Sequence, residues 1–171
     1  MIDEIMEYNR KFVENKGYEP YLTSKYPDKK LAILTCMDTR LLELLPAALG
    51  IKNGDAKIIK NAGGVIVHPY GSVVRSLLVG ILELGVEEVM VIGHTDCGVQ
   101  GMDGNEMLEK LVERGIDQQH IDIVRHSGID LERWLGGFES VESSVHETVR
   151  RLKEHPLMPK NVRISGFIMD S

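Results

Sequence analysis

Short apolar segments alternate with longer segments of helical periodicity along this chain, and this alternation limits the possible folds more than any other feature. The predicted strands cover Leu31 to Thr35, Ala56 to Lys60, Glu88 to Ile92 and Val162 to Met169. Apolar residues at three- and four-residue intervals predict helices over 2–16, 41–49, 72–84, 103–114, 117–126 and 138–154. Pro46 favours a break in the second of these helices. Strands that alternate with helices form a mostly parallel central sheet flanked by helices, so we predict one α/β domain over residues 1–171.

Composition and charge exclude several classes of function. The 171 residues are 43% hydrophobic and 27% charged, with a formal net charge of −6, which argues against a nucleic-acid binder with a basic face. The acidic N-terminus, Met1 to Ile5, does not resemble a secretory signal. No run approaches the roughly 18 apolar residues of a membrane helix. We therefore expect a cytoplasmic protein with neither a nucleic-acid nor a membrane partner.

The two cysteines, Cys36 and Cys97, both lie beside ionisable residues near predicted strand ends. Cys36 follows the first strand, and Cys97 follows the third strand together with His94. Ligands of an open parallel sheet bind beyond the carboxyl ends of strands where the strand order reverses. If the second and third strands flank the first, Cys36 and His94 end on adjacent strands and face one crevice.

Two cysteines and one histidine form a suitable ligand set for zinc. A catalytic zinc site has three protein ligands and keeps a fourth position for water or substrate, so Cys36, His94 and Cys97 predict one Zn²⁺ per chain. Asp38 would place a carboxylate near the metal, and Arg40 would hold that carboxylate ionised, because a guanidinium can bind it through two parallel hydrogen bonds. We predict Asp38 and Arg40 as the catalytic pair.

The segment Asn61, Ala62 and Gly63 follows the second strand and is a candidate lining of the same crevice, where substrate would bind. The alternative interpretation is a plain turn. The segment lacks the G-x-G-x-x-G spacing, so no dinucleotide site is predicted.

The segments Cys36 to Arg40 and His94 to Gly98, with Lys60 to Gly63 between them, resemble the beta-class carbonic anhydrases, most closely the short single-domain branch. Thr39 stands where many members of that family have serine. The resemblance implies reversible hydration of carbon dioxide to bicarbonate and a proton. It also implies a core strand order of 2-1-3-4 and zinc ligands at Cys36, His94 and Cys97.

The same resemblance implies a homodimer or a higher homo-oligomer, in which the N-terminal helix, within residues 1–17, is exchanged between copies. It leaves two states of the metal site open. Either Asp38 pairs with Arg40, or Asp38 becomes a fourth ligand and closes the site.

Three alternative functions use the same residues. The first is hydrolysis of carbonyl sulfide or carbon disulfide on the same fold. The second is a non-catalytic zinc protein, in which Asp38 completes the coordination permanently. The third is a thiol enzyme with Cys36 as nucleophile and His94 as base.

Overall fold

A four-stranded, all-parallel sheet with the order β2-β1-β3-β4 lies at the centre of the fold. The computed structural model describes all 171 residues. The strands are β1 (Leu31–Cys36), β2 (Ala56–Asn61), β3 (Glu88–His94) and β4 (Arg163–Met169). The helices are α1 (Ile2–Glu14), α2 (Leu41–Leu49), α3 (Ser72–Glu83), α4 (Gly104–Glu113), α5 (Gln118–His126), α6 (Leu131–Leu135) and α7 (Val141–Glu154). The prediction of a mostly parallel α/β sheet is confirmed, as is the order 2-1-3-4.

The strand register places the predicted ligands at one edge of the sheet. Leu31 of β1 pairs with Ala56 of β2 on one side and with Glu88 of β3 on the other. Because β1 and β3 run in parallel and start level, their last residues, Cys36 and His94, also end near each other. The strand order reverses between these two strands, which is where an open α/β sheet forms a crevice.

The central strands form the core because almost every residue in them is apolar and covered on both faces. Five of the six residues of β1 are buried, as expected for a parallel strand between two layers of helices. Helix α7 packs against β3 and β4 at two glycines. A Cβ atom at Gly93 would lie 2.7 Å from the side chains of Val141 and Val145, and one at Gly166 would lie 2.6 Å from Val145. These glycines therefore let α7 approach the sheet closely.

Three local features differ from the sequence predictions. Helix α2 continues through Pro46 without a break. Pro46 lacks the N–H that would bond to Leu42, so the helix loses one backbone hydrogen bond at this position. Gly50 ends the helix with φ 62°, the left-handed cap expected of glycine. Strand β3 extends two residues beyond the prediction, to His94. The five-residue helix α6 was not predicted, and it packs through Leu131 in a second apolar cluster with α4 and α5.

Helix α1 makes little contact with the rest of the chain. It is strongly amphipathic, yet none of its residues is buried. None of the helices combines the length and the apolar composition that a membrane span requires.

Candidate metal centre

Three buried side chains, Cys36, His94 and Cys97, converge at the carboxyl ends of β1 and β3. One ligand atom from each lies within 4.8 Å of the other two. The Sγ atoms of Cys36 and Cys97 are 3.8 Å apart. The structure thus brings together the three residues that the sequence predicted as ligands, although Cys36 and Cys97 are 61 positions apart.

A tight turn after β3 gives Cys97 its place. Asp96 has a φ of 51°, a left-handed conformation that aspartate tolerates better than most residues. The turn at Thr95 and Asp96 brings the Cys97 side chain close to that of His94. In this chain, the two ligands of the His-x-x-Cys motif are therefore separated by a turn that contains one left-handed residue, Asp96.

The geometry fits a metal ion in two independent ways. The Nε2 atom of His94 is buried and has no hydrogen-bond partner, an arrangement that costs about 1–3 kcal/mol unless something binds the atom. Two sulfurs bound at about 2.3 Å to one tetrahedral zinc ion lie about 3.8 Å apart. The Sγ atoms of Cys36 and Cys97 have this separation. Sulfur and imidazole ligands of this kind suit zinc.

Asp38 lies beside these atoms and is bound on both carboxylate oxygens by Arg40. Arg40 Nε donates to Oδ1 at 3.0 Å, and Arg40 Nη2 donates to Oδ2 at 2.9 Å. The backbone N–H of Arg40 donates to Oδ1 as well, at 2.9 Å. The side-chain and backbone hydrogen bonds from Arg40 hold the pKa of Asp38 far below its usual value, which favours the ionised carboxylate. Oδ2 is 3.8 Å from His94 Nε2, which places a fixed negative charge next to the unpartnered nitrogen.

Arg40 is itself held by the turn that carries Cys97. Its Nη2 donates to the backbone oxygen of Asp96 at 2.8 Å, and its Nη1 donates to the Asp96 carboxylate at 3.3 Å. Hydrogen bonding to Asp38, the nearest carboxylate, raises the pKa of Arg40. The guanidinium therefore joins the loop after β1 to the loop after β3.

Burial raises the pKa of the Cys97 thiol, and the nearby Cys36 adds to this effect. A buried thiol with a raised pKa is a weak nucleophile in the absence of metal. Metal binding to such a thiol must displace a proton. The thiol-enzyme alternative, in which Cys36 would attack with His94 as base, is separated from a metal centre by the metal content of the protein.

The three predicted pocket residues have different positions. The Asn61 side chain closes its own loop, since Nδ2 donates to the Val65 oxygen at 2.7 Å and Oδ1 accepts from the Val65 N–H at 3.1 Å. Gly63 is buried, has φ 82°, and lies against Phe138. Ala62 lines a large, mainly apolar cleft of about 1710 Å³ between this loop and helices α4 to α7.

The sequence predicts no role for Asp96 or Ser171, although both contact the site. Asp96 lies in the segment His94 to Gly98, and its position between two candidate ligands is a signal that could have indicated a role. Ser171 Oγ lies 3.2 Å from His94 Nδ1, across 77 positions of sequence. No local pattern indicates a contact over that separation.

Comparison with known proteins identifies relatives over almost the full chain. A family model described as carbonic anhydrase matches residues 31–169. The putative carbonic anhydrase YvdA of Bacillus subtilis is 52% identical over 168 residues, covering 98% of this chain and 85% of that protein. The putative carbonic anhydrase YtiB of the same organism is 50% identical over 170 residues, covering 99% of this chain and 91% of that protein.

Some more distant relatives are named for a different activity. A carbon disulfide hydrolase of Saccharolobus solfataricus is 33% identical over 155 residues, covering 84% of this chain and 74% of that protein.

A solved structure also matches the fold. The crystal structure of beta-carbonic anhydrase isoform I of Trichomonas vaginalis superposes with a TM-score of 0.88 at 35% identity, covering 99% of this chain and 92% of that one.

Proposed function

This chain belongs to the carbonic anhydrase family, and we propose that it catalyses the reversible hydration of carbon dioxide at one zinc ion held by Cys36, His94 and Cys97. Membership of this family makes it an enzyme of the carbonate dehydratase class. The observation that carries the proposal is the buried, unpartnered Nε2 of His94, which faces two thiol sulfurs and lies 3.8 Å from the carboxylate of Asp38.

In this proposal Asp38 and Arg40 have different roles beside the metal. Zinc, when bound, acts as a Lewis acid that makes water nucleophilic near neutral pH. Asp38, as an ionised carboxylate, accepts a hydrogen bond from the attacking oxygen and so directs a lone pair of that oxygen towards the carbon of carbon dioxide. Arg40 prevents Asp38 from rotating, because both carboxylate oxygens are bound to one guanidinium.

The proposed reaction needs only water and carbon dioxide as reactants. A C–O bond forms between the attacking oxygen and carbon dioxide while one C=O π bond opens, and its electron pair moves to oxygen. The water proton leaves to solvent, and bicarbonate dissociates. In this proposal the substrates are carbon dioxide and bicarbonate, and Asn61, Ala62 and Gly63 form the wall of the pocket that receives them.

The test is a stopped-flow measurement of carbon dioxide hydration with protein of known zinc content. We expect rates that are proportional to bound zinc and that disappear when a chelator removes it. Folded, zinc-loaded protein without hydration activity would instead support the non-catalytic zinc protein.

Hydrolysis of carbon disulfide is the second candidate, because hydrolases of this substrate are among the relatives. Their identity to this chain, 30–33%, is well below that of the two Bacillus proteins, at 50–52%. Release of hydrogen sulfide from carbon disulfide, measured on the preparation used for the hydration assay, separates the two activities. Hydrogen sulfide release without carbon dioxide hydration would reverse our assignment.

We also propose that the chain acts as a homodimer or a higher homo-oligomer, built from residues 1–171 as one domain with α1 exchanged between copies. Helix α1 supports this because its apolar side chains lie in water, with Ile5 61% and Met6 54% exposed. An apolar stripe of this kind is normally covered by another surface. We place the protein in the cytoplasm, where a reducing environment keeps Cys36 and Cys97 available as ligands.

A further inference from the structure

The segment after β4 is attached to the residue that follows the ligand His94. The Thr95 N–H donates to the Met169 oxygen at 3.0 Å. The Ser171 N–H donates to Thr95 Oγ1 at 3.0 Å, and Thr95 Oγ1 donates to the Asp170 carboxylate at 2.9 Å. These contacts continue the pairing of β3 and β4 past the ends of both strands and bring Ser171 against His94.

The hydroxyl of Ser171 has a defined direction. Its proton is donated to the Thr95 backbone oxygen at 3.0 Å. A hydroxyl has only one proton, so Oγ presents a lone pair to His94 Nδ1, which is 3.2 Å away. The His94 ring must therefore donate from Nδ1.

The consequence for the imidazole is a proton on Nδ1. In the neutral ring this leaves a lone pair on Nε2, the buried atom without a hydrogen-bond partner. The opposite tautomer would set the Nδ1 lone pair against the lone pair of Ser171 Oγ. This repulsion favours the form in which Nε2 can bind a metal.

We propose that Ser171 is a positioning residue that holds His94 in its metal-binding tautomer and ring orientation. The Ser171 backbone oxygen also accepts a hydrogen bond from Arg40 Nη1 at 3.4 Å, so the same residue contacts both the ligand and the arginine that holds Asp38. The inference rests on the proposed function, because it takes His94 as a zinc ligand. Partners of this type that orient a ligand histidine typically change metal affinity by about 10–100-fold.

The test compares wild type with Ser171→Ala and uses Ser171→Thr as the conservative variant. In the metal-free protein, long-range ¹H–¹⁵N NMR spectra of labelled histidine report the tautomer of His94, with the signals assigned from His94→Gln. We expect an Nδ1–H ring in wild type and in Ser171→Thr, and a mixture of tautomers in Ser171→Ala. Zinc affinity, measured by competition with a chromophoric chelator, should fall about 10–100-fold in Ser171→Ala and recover in Ser171→Thr.

Two further variants test whether the effects are specific to the contact between Ser171 and His94. Ser76→Ala is the matched control, because the exposed Ser76 hydroxyl only donates to Ser72 within α3, and its zinc affinity should equal that of wild type. Thr95→Val removes the side-chain acceptor for the Ser171 N–H, and it should shift the tautomer in the same direction as Ser171→Ala.

The outcomes separate this inference from the proposed function. An unchanged tautomer and unchanged zinc affinity in Ser171→Ala, with wild type active in hydration, would overturn the role of Ser171 alone. A tautomer shift in Ser171→Ala, in a protein whose wild type neither binds zinc nor hydrates carbon dioxide, would support the role of Ser171 and overturn the proposed function.

Discussion

Arg40 binds both carboxylate oxygens of Asp38 through two hydrogen bonds, Nε to Oδ1 at 3.0 Å and Nη2 to Oδ2 at 2.9 Å. The pair is separated by one residue in sequence, yet the guanidinium also reaches the backbone of Asp96 at 2.8 Å. Asp38 therefore has a fixed charge and a fixed orientation beside the ligand atoms. This arrangement corresponds to the state in which Asp38 pairs with Arg40.

Replacing Asp38 with asparagine should reduce the rate of carbon dioxide hydration by about 10²–10⁴-fold, the range typical of a positioned acid–base group. Zinc content should remain at one per chain, because the three ligands are untouched. Thr39→Ser is the matched control, since the exposed Thr39 lies between the two residues and should be replaceable without loss of rate. A hydration rate in Asp38→Asn equal to that of Thr39→Ser would remove Asp38 from the mechanism.

Replacing Cys97 with alanine should strip most of the zinc, because two remaining ligands bind the ion far more weakly than three. Metal analysis of the purified protein measures the effect. Met37→Ala is the control, because Met37 is adjacent to Cys36 in sequence but 64% exposed, and its zinc content should not change. Full zinc occupancy in the Cys97→Ala protein would show that Cys97 is not a ligand.

Glu147 should stabilise the fold in a pH-dependent manner. Hydrogen bonds from Arg150 and Arg151 lower its pKa from 4.5 to about 2, and Arg151 also donates to the Ile66 oxygen at 2.8 Å, which joins α7 to the loop after β2. A lowered pKa means that the folded state favours the ionised form. The stabilisation is therefore complete above the unfolded value near pH 4.5 and is lost as the pH falls towards about 2.

Urea unfolding of wild type and Glu147→Gln at several pH values measures this contribution. The difference in the free energy of unfolding should favour wild type at pH 7 and shrink as the pH falls from 4.5 towards 2. Glu142→Gln is the control, because Glu142 lies on the same helix, is exposed and forms no ion pair. A difference for Glu147→Gln that stays constant down to pH 2 would contradict the assignment.

Replacing Ile5 with lysine should shift the oligomer towards monomer, because a charge on the apolar stripe of α1 opposes burial in an interface. Sedimentation velocity over a concentration series detects the shift. Glu14→Lys puts the same side chain on the same helix, nine positions away and hence on the opposite face, and should leave the assembly intact. A wild-type monomer with full hydration activity would refute the proposed dimer.

Replacing Gly64 with alanine should destabilise the protein more than the same change at Gly50. Both residues have a positive φ, 65° and 62°, so the backbone strain is similar. A Cβ at Gly64 would lie 3.0 Å from the backbone nitrogen of Cys36, whereas one at Gly50 would meet nothing within 4 Å. Crowding of this kind costs about 1–3 kcal/mol, and thermal or urea unfolding of the two variants isolates that cost. Equal losses would mean that backbone strain alone explains the need for glycine at Gly64.

Much of the architecture could be predicted from the sequence because it depends on patterns a few residues long. Alternating apolar runs and helical periodicities indicated a parallel α/β sheet, and all four predicted strands are present with small changes at their ends. Asp38 and Arg40 are two positions apart, and His94 and Cys97 are three apart, so these pairs could be recognised without a structure. The exceptions are also local: α6 is a five-residue helix too short to show a clear period, and Pro46 removes one hydrogen bond of α2 without ending the helix.

The sequence by itself therefore determined the class of fold and the identity of the candidate ligands, while the tertiary structure decided how they are held. The sequence predicts that Cys36 and His94 converge only if β1 and β3 are neighbours. The structure shows that they are, since the strand order is β2-β1-β3-β4. The contacts of Arg40 with Asp96 and of Ser171 with His94 join positions 56 and 77 residues apart. Such contacts result from the packing of β1, β3 and β4 against one another, and no spacing rule within a segment describes the distance between two segments.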